Sequence, residues 1–338
     1  MNQTAPFRVA VITTVYNERV LLPIWLTYYG RAFGLNNLYI IDDGSTDGST
    51  DEVGDANVIK VDQPEIDQER RAREVSAFFN AVLKHHDAAI YVDVDEFLVV
   101  DPLLRMGLRD FIQRSPLDHF NALGLNVVQN PSGEAAYSAA LDIFEQRRFV
   151  RFERGYCKQL IHKQPTLWRI GFHWTTEPVA MAAGLYLFHL RAVDVKTSIA
   201  RINGRNKLAW SGESLRKQLG WQNRLAAEEY LNEFYIFDQS RFDTAEPVAR
   251  FNERVAAMAT LVQQRPREVR AAPIVELEQL ILTIPPRFRD AIPADAPLAQ
   301  IEAHNREQFG PPGPRLDAVG LYRQAIATAE MRSGADPQ

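Results

Sequence analysis

The chain is predicted to be an α/β protein, with a mostly parallel central sheet covered by helices on both faces. Three observations predict it. Over residues 9–92, apolar runs of strand length alternate with segments of helical periodicity. The order strand, helix, strand, strand, helix, strand is that of a covered parallel sheet. Polar clusters follow three of the strands, at 15–18, 42–49 and 93–96. Ligands bind in such sheets beyond the carboxyl ends of the strands.

Each element has its own justification. Residues 9–14 (Val-Ala-Val-Ile-Thr-Thr) are an apolar run of strand length. Residues 20–33 have helical apolar spacing, with Pro23 tolerable in a first turn and Gly34 as the stop. A second strand spans 38–41 and ends in Asp42-Asp43-Gly44-Ser45-Thr46-Asp47-Gly48-Ser49. A short third strand covers 58–61, and a helix 65–84 has Pro64 near its start. The fourth strand is 88–92. Beyond it, 103–114 reads as a helix ended by Ser115-Pro116, 122–128 as a strand and 130–133 as a turn. Past residue 212 the segments 213–234, 244–265, 275–282, 298–308 and 317–332 read as helices broken by prolines. The expected organisation is therefore an α/β domain over 1–212 with a helical extension over 213–338 packed on it. Leu219, Trp221, Leu225, Tyr230 and Phe234 read as core contacts of that extension.

Composition sets the outer bounds. With 338 residues, 46% hydrophobic and 24% charged, the chain can bury a large core. A net charge of −5 offers no general attraction for nucleic acid. Cys157 stands alone, which excludes an internal disulfide and fits a reducing compartment. Residues 1–8 are too short and polar for a signal peptide, and no apolar run reaches the roughly 20 residues a membrane span needs. The expectation is a cytoplasmic protein, compatible with peripheral contact at the inner face of a membrane. The one biased segment is Pro-Pro-Gly-Pro at 311–314.

The chemistry concentrates in Tyr-Val-Asp-Val-Asp-Glu-Phe-Leu-Val-Val at 91–100. Asp93, Asp95 and Glu96 lie inside an apolar run, and an unpaired buried carboxylate is very costly. They are expected at a strand end, facing a cavity or a cation. On an extended chain Asp93 and Asp95 would share a face, and two hard oxygen ligands so placed suit Mg²⁺ or Mn²⁺. Asp42 and Asp43 end another buried strand, where a carboxylate can accept from a uracil imide or ribose hydroxyls. Thr14, Tyr16 and Asn17 could line the same pocket, with Tyr16 stacking on a base.

Three motifs in order, Thr13-Thr14-Val15-Tyr16-Asn17-Glu18, Ile40-Ile41-Asp42-Asp43-Gly44-Ser45-Thr46-Asp47-Gly48 and Val92-Asp93-Val94-Asp95-Glu96-Phe97-Leu98, resemble glycosyltransferase family 2. The likeness is to a branch whose metal motif runs Asp-x-Asp-Glu-Phe-Leu, itself similar to the family 92 transferases, and it covers roughly residues 7–195. It implies a GT-A fold, a nucleotide-diphosphate sugar donor that is UDP-linked by analogy, and a divalent Mn²⁺ or Mg²⁺. By the same resemblance Thr14, Tyr16 and Asp42 or Asp43 hold the nucleoside. Asp93 faces the ribose or the metal, and Asp95 is the main metal ligand. Arg73, on the helix before the metal motif, is the arginine expected to reach the nucleotide. Lys158, in Tyr156-Cys157-Lys158-Gln159-Leu160-Ile161, matches a lysine that precedes a strand. His173 or His189 would complete the metal shell, with His189 favoured and Arg191 near the phosphates.

Residues 144–174 are locally basic, with Arg147, Arg148, Arg151, Arg154, Lys158, Lys163 and Arg169, and suit an anionic ligand. An inverting transferase also needs a base for the acceptor hydroxyl. The family's acidic pair is not recognisable; Glu177 is the candidate, with Glu153 and Asp142 as alternatives. The expected acceptor is a glycan or lipid-linked hydroxyl. Two rival readings stand beside this one. Asp93 could be the nucleophile of a haloacid-dehalogenase-type phosphatase, or the chain could bind nucleotide sugars without turning them over.

Overall fold

The computed structural model describes residues 7–61, 65–264, 272–312 and 315–334. Pro64, Arg265, Gly313, Pro314 and residues 1–6, which the sequence reading touches, lie outside those ranges. Among the described residues ten strands share one sheet: β1 (Val9–Val15), β2 (Leu38–Asp42), β3 (Asn57–Lys60), β4 (Ala88–Tyr91), β5 (Glu96–Val100), β6 (His119–Val128), β7 (Phe149–Phe152), β8 (Gln159–His162), β9 (Met181–Ala192) and β10 (Ile281–Thr283). Their order is β10-β7-β6-β8-β4-β1-β2-β3, with β9 pairing β6 and β5 pairing β9. The half β4-β1-β2-β3 is parallel, as expected. The other half continues in antiparallel pairings of β8, β6, β7 and β10.

The helices are α1 (Leu21–Phe33), α2 (Gln68–Leu83), α3 (Leu108–Arg114), α4 (Ile143–Gln146), α5 (Val195–Arg205), α6 (Gly212–Arg216), α7 (Ala227–Phe234), α8 (Gln239–Asp243), α9 (Phe251–Gln264), α10 (Ala272–Glu278), α11 (Leu298–Phe309) and α12 (Ala318–Gly334). Local chemistry explains the early boundaries. Gly34 at φ 90° ends α1, and its N–H closes on Gly30 O at 2.8 Å. Asp67 caps α2 by accepting from Arg70 N at 2.8 Å.

Strand β1 is buried along its whole length, and its side chains alternate between two cores. Val9, Val11 and Val15 join Trp25, Tyr29 and Phe33 of α1. Ala10 and Ile12 join Phe78 and Phe79 of α2 and Tyr322 of α12. Residues beyond 212 are woven into this body. Phe251, Val255 and Met258 of α9 and Ile301 of α11 belong to the first core, and β10 pairs with β7.

Two expected helices shorten, 103–114 to α3 and 244–265 to α9, and three further expectations change. The segment 275–282 splits into the end of α10 and strand β10, because Ile281 and Leu282 meet the exposed edge of β7. The segment 213–234 is α6, a turn at Trp221–Asn223 and α7, since Gly220 takes φ 63° against the Trp210 ring. Trp221 is accordingly 48% exposed rather than a core contact.

Candidate active site

A cleft opens beyond the carboxyl ends of β1, β2 and β4, with about 1380 Å³ of unfilled space including its mouth. Its walls bring together residues far apart in the chain. Thr14, Tyr16 and Glu18 come from the end of β1 and the loop after it, Asp43 from the loop after β2, and Asp93 and Asp95 from that after β4. Arg71 comes from α2, Lys158 from just before β8, His189 and Arg191 from β9, and Arg205 from α5. The 170–173 turn, with His173, and the segment 208–223 close the sides.

Asp93 and Asp95 both border the cleft, but not by strand alternation. Strand β4 stops at Tyr91, and residues 93–95 form a turn closed by Glu96 N to Asp93 O at 3.0 Å. The chain must turn here because β5 pairs with β9, not with the β4 edge. Glu96 folds back inside: its Oε2 accepts from Asp93 N at 3.1 Å.

Two ion-pair clusters hold these acids. Lys158 Nζ lies 2.5 Å from Glu96 Oε1 and 3.4 Å from Asp93 Oδ2. One ammonium thus serves two carboxylates. Burial works to raise both carboxyl pKa values; Lys158 and then Arg71 overcome it at Asp93, which titrates below the usual range. At Glu96 burial prevails and pushes the pKa up to about 7. The pull of both acids keeps Lys158 above the ordinary lysine value despite its burial. In the second cluster Arg201 of α5 donates from Nη1 to Asp95 Oδ2 at 2.9 Å and from Nη2 to Glu18 Oε1 at 2.8 Å. Arg205 Nη2 adds a bond to Glu18 Oε1 at 3.1 Å. Asp95 is buried, which opposes ionisation, yet Arg201 holds its carboxyl far below the usual range.

His189 Nδ1 is 2.8 Å from Asn126 Oδ1, and its Nε2 faces Asp95 Oδ1 at 3.7 Å. Burial drives its pKa down to about 3, so the imidazole is neutral. Hard carboxylate oxygen beside neutral imidazole is a donor pair for Mn²⁺ or Mg²⁺. The 3.7 Å gap is less than twice a bond of about 2.1 Å, so one ion can touch both. Among the described residues no set of three or more His, Cys, Asp or Glu converges on a point. His173 also lines the cleft, with its Nδ1 2.5 Å from Gly155 O, and burial lowers its pKa to about 4.

The other named residues are placed as follows. Asp42 is spent on its own loop, with Oδ1 accepting from Ser45 N at 2.8 Å and Oδ2 from Thr50 Oγ1 at 2.6 Å; Asp43 is the one at the cleft. Asn17, at φ 54°, ties two loops together by accepting from Thr46 N at 2.7 Å and Asp47 N at 3.2 Å. It lines an adjoining hollow instead. Arg73 points to solvent, and the α2 arginine at the cleft is Arg71. Arg71 donates to Thr14 Oγ1, lies 4.0 Å from Asp43 Oδ2 and sits 5.7 Å from the Phe172 ring. Arg191 donates to the Tyr156 hydroxyl at 3.1 Å and covers the Phe234 ring at 4.3 Å. Glu177 is not on the cleft wall; its Oε2 is 3.7 Å from His119 Nε2. Glu153 bonds Asn126, and Asp142 accepts from Ala294 N at 2.7 Å, so neither borders the cleft.

Sequence reasoning missed Glu18, Arg71, Arg201 and Arg205. A signal existed for some of them. Arg71 is four residues before Val75 on the buried stripe of α2, and Arg201 and Arg205 are one turn apart behind the Asp194 cap. Only contact across the fold gives those positions their partners.

No protein-family model matches the chain, and no curated protein matches it. Among solved structures, TarS of S. aureus superposes with TM-score 0.30 at 11% identity, over 95% of this chain and 55% of that one. The glycosyltransferase GlyE of Streptococcus pneumoniae gives 0.25 at 11%, over 96% and 64%. The galactosyltransferase LgtC, bound to donor and acceptor sugar analogues, gives 0.22 at 11%, over 90% and 97%. The chain thus spans little more than half the length of TarS. Superpositions this loose carry no argument about its activity, which has to be made from the cleft.

Proposed function

We propose that the chain is a metal-dependent glycosyltransferase of GT-A type. It moves a sugar from a nucleotide-diphosphate donor, UDP-linked in this reading, to a hydroxyl of a glycan or lipid-linked acceptor, with inversion. The observation that carries the proposal is the charge of the cleft wall. Among the described residues six carboxylates (Glu18, Asp43, Glu65, Asp67, Asp93 and Asp95) border it, against four fixed cations (Arg71, Lys158, Arg191 and Arg205) and Arg201 behind Glu18 and Asp95. A wall with excess negative charge repels a diphosphate unless a cation enters with it. Asp95 and His189 would hold such an ion, with Asp93 beside them, and it would supply the positive charge that a diphosphate needs here.

The chain's own groups then divide the work. Thr14, Tyr16, Asp43 and Arg71 form the end of the cleft suited to the nucleoside, where Asp43 accepts from imide or hydroxyl donors. Arg191 lies beside the metal pair and helps stabilise the departing diphosphate. Lys158 acts through Asp93 and Glu96, holding Asp93 ionised and aimed at the cleft. A bound divalent ion supplies the charge that a nucleoside diphosphate needs as a leaving group. Glu177, Glu153 and Asp142 lie off the cleft wall, so this reading assigns the acceptor's base to none of them.

Thermal-shift titration with UDP-, GDP-, CDP- and dTDP-sugars, with and without Mn²⁺, tests the proposal. A ligand at 100 times its dissociation constant stabilises by about 2.7 kcal/mol. UDP-sugars should give the largest shift, most of it Mn²⁺-dependent, and Asp95→Ala should remove the Mn²⁺-dependent part. The same shift in that variant would sink the metal assignment. Phosphate release from simple phosphoesters would favour the phosphatase reading of Asp93.

A further inference from the structure

His189 sits in a hydrogen-bond chain whose direction can be worked out. It begins at Glu153, just after β7, whose Oε2 faces Asn126 as the accepting oxygen. Asn126 of β6 meets it through Nδ2, the donating end of its amide. The other end, Oδ1, therefore faces His189, at 2.8 Å from Nδ1. An amide oxygen cannot donate, so Nδ1 must carry the proton. In the Nδ1–H tautomer Nε2 is a bare lone pair, aimed at Asp95 Oδ1 3.7 Å away. Two electron-pair donors facing each other across that gap repel unless a cation lies between them.

The fold makes the chain rigid. Asn126 and His189 are direct partners in the parallel β6–β9 register, so their side chains emerge side by side on one face. Glu153 N donates to Gly124 O at 3.2 Å, which pins the carboxylate to β6. Asn126 is buried, and the Tyr156 ring covers His189 with centroids 4.1 Å apart.

We propose that Glu153 and Asn126 are positioning residues that lock His189 in the Nδ1–H tautomer and so present Nε2 to a divalent cation at Asp95. The proposal rests on the metal reading of the cleft given above. Neither residue touches the ligand; they act through His189. Glu153 thus has a task other than the proton abstraction considered for it from sequence.

The tautomer can be read without any metal, from ¹⁵N chemical shifts of the His189 ring in the metal-free protein. Mn²⁺ affinity is read separately by electron paramagnetic resonance. The wild type should show protonated Nδ1 and bare Nε2. Asn126→Leu should give a mixed or Nε2–H signature and weaken Mn²⁺ binding by about 10- to 100-fold, the usual cost of losing such a partner. Asn126→Asp alone sets carboxylate against carboxylate and should also weaken binding. Asn126→Asp with Glu153→Gln reverses the donor and acceptor between those two positions but still offers His189 an oxygen. That pair should restore both the signature and the affinity, which a merely space-filling role would not produce. An unchanged Nδ1–H signature with affinity within twofold in Asn126→Leu, or no rescue by the double variant, overturns the relay. Unchanged Mn²⁺ affinity in His189→Ala would instead overturn the metal reading itself.

Discussion

Arg71 and Arg73 are two residues apart on one helix, yet only Arg71 reaches the cleft. On α2 the buried face carries Gln68, Ala72, Val75 and Phe79, and Arg71 lies along its margin, one turn from Val75. Its guanidinium joins Thr14 to the neighbourhood of Asp43 and lies near the Phe172 ring. A hydrogen bond to a charged group contributes about 1.5–3 kcal/mol. Arg71→Ala should therefore raise the nucleotide dissociation constant about 10-fold or more in calorimetric titration. Arg73→Ala should leave it unchanged, and equal losses in the two variants would argue against this placement. Gly124 offers a second test at this scale. A Cβ there would collide with the backbone carbon of Tyr156, two residues before Lys158. Gly124→Ala should cost about 1–3 kcal/mol by overpacking, seen as a lower denaturation midpoint, and should weaken ligand binding by moving Lys158.

Helix α5 shows what an element contributes beyond its residues. Asp194 caps it by accepting from Thr197 N at 2.8 Å, and buried Arg147 lies 3.8 Å from the same carboxylate. The helix so anchored sends Arg201 and Arg205, one turn apart, to Glu18 and Asp95. Arg201 is largely buried, so removing it leaves two nearly buried carboxylates without their main partner. Breaking a buried pair costs about 3–5 kcal/mol, and Arg201→Ala should lose about that much in urea unfolding. Arg201→Lys should recover only part, because an ammonium cannot span two carboxylates with the planar fork of a guanidinium. A loss under about 1 kcal/mol for Arg201→Ala would show that water replaces the guanidinium. Strand β10 makes the complementary point. Its three residues lie far along the chain but complete the β7 edge, so the last third of the protein contributes a strand to the same sheet.

Across the whole molecule, buried neutral histidines set the acid limit. His162 packs among Phe79, Trp168 and His119, and burial lowers its pKa to about 3. Its Nε2 lies 3.0 Å from Gln159 O and its Nδ1 2.7 Å from His119 Nδ1, so Nε2 donates and Nδ1 accepts. His86 is lowered to about 4 by burial. Between those values and the unfolded pKa of about 6.5, the unfolded chain binds protons that the folded chain does not. Stability therefore falls as pH drops below about 6.5, by up to roughly 1.4 kcal/mol per pH unit for each such histidine. Urea midpoints at pH 7 and 5 should show the fall, and His162→Asn should flatten it. A midpoint independent of pH over that range would contradict the buried neutral assignment. Among the described residues no helix is long and apolar enough to cross a membrane.

The sequence by itself determined β1, α1, β2, α2 and β4, and the three polar loops that end beside one another. Those signals are local: unbroken apolar runs, the Gly34 stop and acids where an apolar strand runs out. It also marked Asp93, Asp95, His189, Lys158 and Arg191, all of which border the cleft. Tertiary structure alone decided the rest. It chose Asp43 over Asp42, because Asp42 turns inward to Ser45 and Thr50. It sent Glu177 to His119, and it brought Arg201 to Asp95 from 106 residues away. Periodicity fixes which face of an element a side chain takes, but not what the fold lays against that face. That depends on the pairing of distant strands and on burying charge only where an opposite charge waits.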